Sequence, residues 1–98
     1  MYGTVARIRA KPGADKQLLE MTKSESALQI PGFIGQYLYR MNADPNELYL
    51  VVIFENRQAY TANADSPEQD ARYRQFRALL EEDPEWHDGE IVYSDSQL

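Results

Sequence analysis

The hydrophobic residues are most concentrated in Leu48–Phe54, which reads Leu-Tyr-Leu-Val-Val-Ile-Phe between two glutamates. Such a run predicts a strand that is apolar on both faces, and each face has to be covered. A chain of 98 residues supplies one helical layer. We therefore expect another copy of the chain, or a ligand, to cover the second face.

Three other segments of the chain are predicted to be strands. Residues 4–10 alternate with a period of two and predict the first strand. Residues 33–41 predict the second, and the turn-rich segment 42–46 joins it to Leu48–Phe54 as an antiparallel hairpin. Residues 90–94 predict a last short strand, preceded by a loop at 85–89.

Two helical patterns lie between these strands. Residues 14–29 predict the first helix, which Pro31-Gly32 ends. Asn56 is a candidate cap for a short helix over 57–63, and Ser66-Pro67 is a strong start signal for the second main helix. The predicted inward-facing positions are Leu18, Met21, Glu25 and Leu28 in the first helix, and Gln69, Tyr73, Phe76 and Leu80 in the second.

The element order is therefore βαββαβ with an extra helical turn before the second main helix. This order predicts an α+β, ferredoxin-like fold with one antiparallel sheet and one helical layer. We expect a single domain over residues 1–98, in which residues 94–98 form a weakly ordered tail. The open face of the sheet would pair with its copy in a homodimer.

The composition narrows the possible functions. The chain has no cysteine, which excludes disulfides, zinc–thiolate sites and cysteine nucleophiles and fits a cytoplasmic protein. A net charge of -6 argues against nucleic acid and anionic membrane surfaces as partners. No apolar run approaches the roughly 20 residues of a membrane helix. We expect a soluble, cytoplasmic protein.

Several motifs resemble the antibiotic biosynthesis monooxygenase (ABM) family. They are Arg-x-Arg-Ala-Lys-Pro-Gly at 7–13, Ile-Pro-Gly-Phe at 30–33, the aliphatic strand closed by Phe54-Glu55, and Ala59-Tyr60-x-Ala62-Asn63 followed by Ser66-Pro67. The resemblance covers roughly Tyr2 to Tyr93 and implies a dimeric α/β barrel in which two sheets face each other. Some members of the family oxygenate aromatic polyketides without metal or flavin, and others degrade haem.

The haem-degrading branch can be compared position by position. Its pattern has an Asn, a Trp and a His where this chain has Ala6, Asn63 and Tyr73. All three positions depart from it, so the resemblance argues against haem degradation. No phosphate-binding loop, nucleophile motif or dinucleotide fingerprint occurs either. We therefore expect no cofactor and no metal.

Three residues are candidates for catalysis. Asn63 could orient an oxygen or a substrate carbonyl, or it could cap its helix or line a loop. Tyr73 is a candidate because aromatic bodies with polar tips suit phenols and quinones. His87 could act as a general base at the pocket rim, or it could belong to a turn entering the last strand.

The candidates for substrate binding are mostly aromatic. They are Tyr37, Tyr60, Phe76 and Trp86. The alternative is that the tyrosines fill the core and the dimer interface, with Tyr37 and Tyr39 pointing the same way from the second strand.

Three charged residues allow two interpretations each. Glu25 is either a buried acid with a raised pKa or a residue at the exposed edge of its apolar stripe. Arg7 and Arg9 either bind a substrate anion or pair with glutamates such as Glu47 across the sheet or the dimer interface.

These observations favour a cofactor-independent monooxygenase-like protein acting on a small aromatic or quinone-type compound. One alternative is a non-catalytic dimer that binds a small molecule on the same scaffold. Another is a structural dimer whose tyrosines belong only to the core.

Overall fold

The computed structural model describes residues 1–25 and 27–97. Within those residues the chain forms four strands and three helices. The strands are β1 (Tyr2–Arg9), β2 (Phe33–Arg40), β3 (Glu47–Phe54) and β4 (Glu85–Glu90), and the helices are α1 (Asp15–Glu25), α2 (Arg57–Ala64) and α3 (Pro67–Arg77). The prediction of an α+β, ferredoxin-like fold is confirmed, and α2 is the extra helical segment.

The four strands form one open antiparallel sheet in the order β2-β3-β1-β4. The apolar strand β3 therefore lies inside the sheet, between β2 and β1. In the register, Val51 of β3 pairs with Val5 of β1 on one side and with Tyr37 of β2 on the other. The predicted hairpin of β2 and β3 is present, and the sheet does not close on itself.

The side chains of one sheet face form the core with the helices. Ala6, Ile8 and Leu48 are almost fully buried there, together with Leu18 of α1 and Leu80 after α3. We call this side the helix-facing side. Because side chains alternate along a strand, their neighbours occupy the opposite side, which we call the open face. The open face carries Gly3, Val5, Arg7, Arg9, Gly35, Tyr37, Tyr39, Tyr49, Val51, Ile53, Glu85, His87 and Gly89.

Both predicted helix starts have the expected capping bonds. The backbone N–H of Ala59 donates to Asn56 Oδ1 at 2.8 Å, and the N–H of Gln69 donates to Ser66 Oγ at 3.1 Å. Such bonds satisfy N–H groups that a helix start would otherwise leave unpaired. None of the helices in the described part of the chain is long and apolar enough to span a membrane.

The last strand is not where the sequence pattern predicted it. The prediction was a loop over 85–89 and a strand over 90–94, whereas β4 covers Glu85–Glu90 and pairs with β1. The segment lacks an apolar alternation because β4 is an edge strand and every one of its residues is exposed. An edge strand can carry charged residues that a central strand cannot.

Two smaller predictions were also wrong. Phe33 does not share a face with Tyr37, because the register shifts between Phe33 and Gly35 and Phe33 packs against Phe54 instead. The first helix ends at Glu25 rather than near residue 29. Beyond it, the N–H of Leu28 donates to the carbonyl of Glu25 in a turn.

Candidate functional site

A cavity of about 420 Å³ lies between the sheet and the helical layer. Its floor is the helix-facing side of the sheet, and α1, α2 and α3 supply its walls. Small-molecule sites commonly fall in the range of about 300–1,000 Å³, so the cavity has room for a small ring compound. The lining residues include Thr4, Met21, Glu25, Phe33, Gln36, Leu50, Val52, Phe54, Tyr60, Asn63, Gln69, Arg72, Tyr73, Phe76, Trp86 and Asp88.

Aromatic rings meet in two clusters around this space. Tyr73 of α3 lies 6.2 Å from Phe76 and 6.3 Å from Trp86 of β4, measured between ring centroids. Phe54 lies 5.7 Å from Tyr60 and 5.6 Å from Phe33, both in edge-to-face contact. These separations are typical of favourable aromatic pairs, so the rings support one another and leave apolar surface for a planar ligand.

Tyr60 and Asp88 are joined by a hydrogen bond at one end of the cavity. The Tyr60 hydroxyl donates to Asp88 Oδ1 at 2.9 Å. Burial and this bond to a carboxylate together raise the pKa of Tyr60 to about 12, because both disfavour the phenolate. Tyr60 is therefore a neutral phenol at physiological pH.

Thr4 lies next to this pair on the floor. It faces Asp88 in the register of β1 and β4, and only 4% of it is exposed. Its hydroxyl lies near enough to Tyr60 to oppose part of the rise in the Tyr60 pKa. However, the buried Thr4 Oγ1 forms no hydrogen bond with any group in residues 1–25 or 27–97.

Glu25 and Arg72 place opposite charges on the far wall. Burial raises the pKa of the Glu25 carboxyl, and the positive charge of Arg72 opposes that rise. Arg72 is held by Gln69, whose Oε1 accepts from both Nε and one terminal nitrogen, at 3.2 and 2.9 Å. Of the two interpretations of Glu25, this structure favours the partly buried acid with a raised pKa.

The cavity brings together five of the residues singled out in the sequence. Asn63 and Tyr60 reach it from α2, Tyr73 and Phe76 from α3, and Trp86 from β4. Their spacing along the helices accounts for this, since residues three or four apart share a face. These positions fit the roles predicted for them, which stay predictions.

His87 and Tyr37 lie on the other side of the sheet. His87 pairs with Val5 on the open face, where its Nε2 is 3.1 Å from a Glu85 oxygen. Tyr37 is 52% exposed on the same face. Trp86 and His87 are adjacent in a strand, so when one faces the cavity the other points away from it. The structure therefore separates these two residues from the remaining candidates.

Thr4, Asp88 and Arg72 were not singled out in the sequence as site residues. Asp88 was missed because residues 85–89 were interpreted as a loop. Thr4 did carry a signal, since it is the polar member of the inward-facing series with Ala6 and Ile8. Arg7 and Arg9 both pair with Glu47, at 3.1 and 3.6 Å, as the cross-strand interpretation predicted. Arg9 also binds Asp44, in the turn between β2 and β3, at 2.8 Å.

No group of three or more His, Asp or Glu side chains in the described residues is arranged to hold a metal ion.

The sequence profile described as antibiotic biosynthesis monooxygenase matches residues 1–80. The chain belongs to this family. The family resemblance found in the sequence motifs is thus confirmed, and members of the ABM family are typically dimeric.

Solved structures share the fold of this ABM protein. SnoaB of Streptomyces nogalater, a cofactor-independent oxygenase, is 18% identical with a TM-score of 0.78, over 95% of this chain and 94% of SnoaB. Two proteins provisionally named ABM monooxygenases are similar. The protein of Bordetella bronchiseptica is 20% identical with a TM-score of 0.80, over 94% of this chain and 97% of its own. The protein of Chloroflexus aurantiacus is 21% identical with a TM-score of 0.79, over 97% of this chain and 96% of its own. No curated protein matches the sequence.

Proposed function

We propose that this ABM-family protein is a cofactor-independent monooxygenase that oxidises a small aromatic or quinone-type compound in the cavity. The observation that carries this proposal is the cavity itself, whose walls combine two aromatic clusters with the uncharged polar groups of Asn63 and Tyr73. The kinship with the ABM family supports it.

The reaction would need no cofactor, because the deprotonated substrate itself reduces O₂. An electron-rich phenol or anthrone loses a proton, and the resulting carbanion passes an electron to O₂ in a pocket that excludes water. For an anthrone, the CH₂ group becomes C=O, one atom of O₂ enters the product, and the other leaves as water with the two hydrogens. Asn63 would hold the substrate oxygen as a neutral hydrogen-bond donor, and Tyr73 would align the ring.

The proposal also includes a homodimer formed through the open face. Val5, Tyr37 and Tyr39 are 44%, 52% and 53% exposed there, next to the aliphatic side chains of Val51 and Ile53. Exposed apolar patches of this kind mark interaction surfaces. A second sheet laid on this face would cover β3 from the side that the helices leave open. A cytoplasmic location stays a prediction from the sequence.

Oxygen consumption with a panel of hydroquinones and anthrones tests the catalytic part. We expect turnover by the wild type and at least a tenfold loss with Asn63→Ala, in line with the roughly 10²–10³-fold effect of removing a donor to a developing oxyanion. Tyr73→Phe should lower turnover less, because the ring remains.

Matched control variants exist for both substitutions. Asn42→Ala changes an exposed turn residue, and Tyr93→Phe changes a tyrosine that is 79% exposed near the end of the chain. Both should consume oxygen like the wild type. If no compound in the panel is turned over, and ligands only raise the melting temperature, the protein binds a small molecule without oxidising it.

A further inference from the structure

Thr4, Tyr60 and Asp88 form a polar group at the β1–β4 end of the cavity, apart from Asn63 and Tyr73. The three residues come from three elements, β1, α2 and β4. Thr4 and Asp88 are directly paired in the sheet, and Tyr60 reaches Asp88 from above. We call these residues the hydroxyl subsite.

The Thr4 hydroxyl is a buried polar group with an unused hydrogen-bonding capacity. It is buried on the cavity floor, and although it lies near the Tyr60 hydroxyl, it makes no hydrogen bond to any group in the described residues. A buried polar group that lacks a partner costs free energy, and most such groups in folded proteins do have one. A valine would fill the same space without that cost. The position is therefore best explained by a partner that enters the cavity with a ligand.

Tyr60 and Asp88 decide which kind of ligand group fits. The Tyr60 hydroxyl already donates its hydrogen bond to Asp88 Oδ1. Its oxygen can therefore accept a hydrogen bond from a ligand but cannot donate one. The Asp88 carboxylate accepts hydrogen bonds only. The Thr4 hydroxyl can donate or accept. The subsite therefore holds mainly acceptors, and a ligand group that both donates and accepts can satisfy it.

The surroundings of this polar group are aromatic. Phe54 packs against Tyr60, and the cavity continues from there along Leu50 and Val52. A hydroxyl attached directly to an aromatic ring would put the polar atom at the subsite and the ring over this apolar floor.

We propose that Thr4, Tyr60 and Asp88 bind a ring hydroxyl, so that the cavity selects hydroxylated aromatic compounds over their O-methyl ethers and over unsubstituted rings. The inference rests on the proposed function in using the same cavity, and it names the substrate class: a phenol with a free hydroxyl. An O-methyl ether can still accept from Thr4. It cannot donate to Tyr60 or Asp88, and its methyl group needs further space.

Equilibrium binding of 2-naphthol, 2-methoxynaphthalene and naphthalene to the full chain tests this inference. Trp86 is the only tryptophan of the sequence and lines the cavity, so its fluorescence reports occupancy. We expect 2-naphthol to bind roughly three- to tenfold more tightly than the other two, which is the ratio that about one net hydrogen bond produces.

Thr4→Val then assigns the preference to the subsite. We expect it to weaken 2-naphthol by a similar factor and to leave naphthalene unchanged, whereas the control Thr61→Val, on the exposed side of α2, should change neither. Should Thr4→Val fail to fold, Asp88→Asn replaces it, with Asp95→Asn in the exposed tail as control. Equal affinities for the three probes in the wild type would overturn the inference, as would a parallel loss of naphthalene and 2-naphthol.

Binding and oxygen uptake separate this inference from the proposed reaction. A 2-naphthol preference that Thr4→Val removes, in a protein that consumes no oxygen with any phenol or anthrone, supports the subsite and refutes the oxygenase. Oxygen uptake by a protein that binds 2-naphthol and naphthalene equally supports the oxygenase and refutes the subsite.

Discussion

The two faces of the sheet are built from the same four strands and yet present different chemistry. The helix-facing side encloses a cavity in which the buried Thr4 and the partly buried Glu25 lie among aromatic rings. The open face instead carries Val5 and Tyr37 in a continuous row, with Arg7 and Arg9 paired to acidic residues at one end. The cavity is suited to one small ligand, and the open face to another flat surface.

This difference explains how one strand can serve two purposes. In β3, Leu48, Leu50 and Val52 face the helices, while Tyr49 and Val51 face outward. Period-two alternation assigns each residue to one environment only. Substitutions on the open face should therefore change assembly and leave the cavity chemistry alone, and the converse should hold for substitutions in the cavity.

The largest effect is expected from a charge placed on the open face. In the proposed dimer, Val5→Glu would bury an unpaired carboxylate between two sheets, at a cost on the order of 3–5 kcal/mol, and should leave the variant monomeric. Native mass spectrometry measures this directly. Val92→Glu, at a residue that is 90% exposed after β4, is the control and should assemble like the wild type. A dimeric Val5→Glu protein would place the interface elsewhere.

An intermediate effect is expected at high pH on the cavity side. Folding raises the pKa of Tyr60 to about 12 from the ordinary value of about 10, so the unfolded chain loses this proton first. The free energy of unfolding should therefore fall as the pH rises from about 10 to about 12. Tyrosine ionisation can be followed by the absorbance of the phenolate as the pH rises. The wild type should show one tyrosine that ionises at a higher pH than the others, and Tyr60→Phe should remove this late component.

Tyr93→Phe is the matched control for that titration. It removes one of the seven tyrosines from an exposed position and should leave the late component in place. A late component that survives in Tyr60→Phe would show that the hydrogen bond to Asp88 is not its source.

The smallest effect is expected at Glu25. Because burial raises the pKa of this carboxyl, the folded state holds its proton more tightly than the unfolded chain does. The contribution of Glu25 is therefore fully present at acidic pH and is lost as the pH rises through its folded pKa. Glu25→Gln should flatten this decline in urea denaturation. Glu20→Gln, on the exposed side of α1, should leave the decline as it is.

Much of the fold could be predicted from two strands. The residues of β1 alternate between polar and apolar, and those of β3 form a short continuous apolar run, and both patterns are typical of strands. β4 could not, since an edge strand need not bury side chains and Glu85–Glu90 contains one large apolar residue, Trp86. The face of Phe33 depended on a local shift of register, which leaves no mark on periodicity.

The same physics limited the prediction of the site. Helical spacing places Asn63 on the same face of α2 as Tyr60, and Tyr73 on the same face of α3 as Phe76, so each pair could be predicted to point the same way. His87 was assigned to the pocket because a loop residue can point anywhere. Once 85–90 is a strand, Trp86 takes the cavity side and His87 the open face. Thr4, the one polar residue in the inward-facing series of β1, lies on the cavity floor.

The exposed strand β4 also sets a limit on how this protein can aggregate. It carries the exposed carboxylates of Glu85 and Glu90, in a chain whose net charge is -6. Acidic side chains discourage another strand from adding to that edge. Growth by edge-to-edge pairing, the route to fibres, is thereby disfavoured there. Concentrated solutions should accordingly contain particles of finite size, and storage stability should worsen when these charges are neutralised.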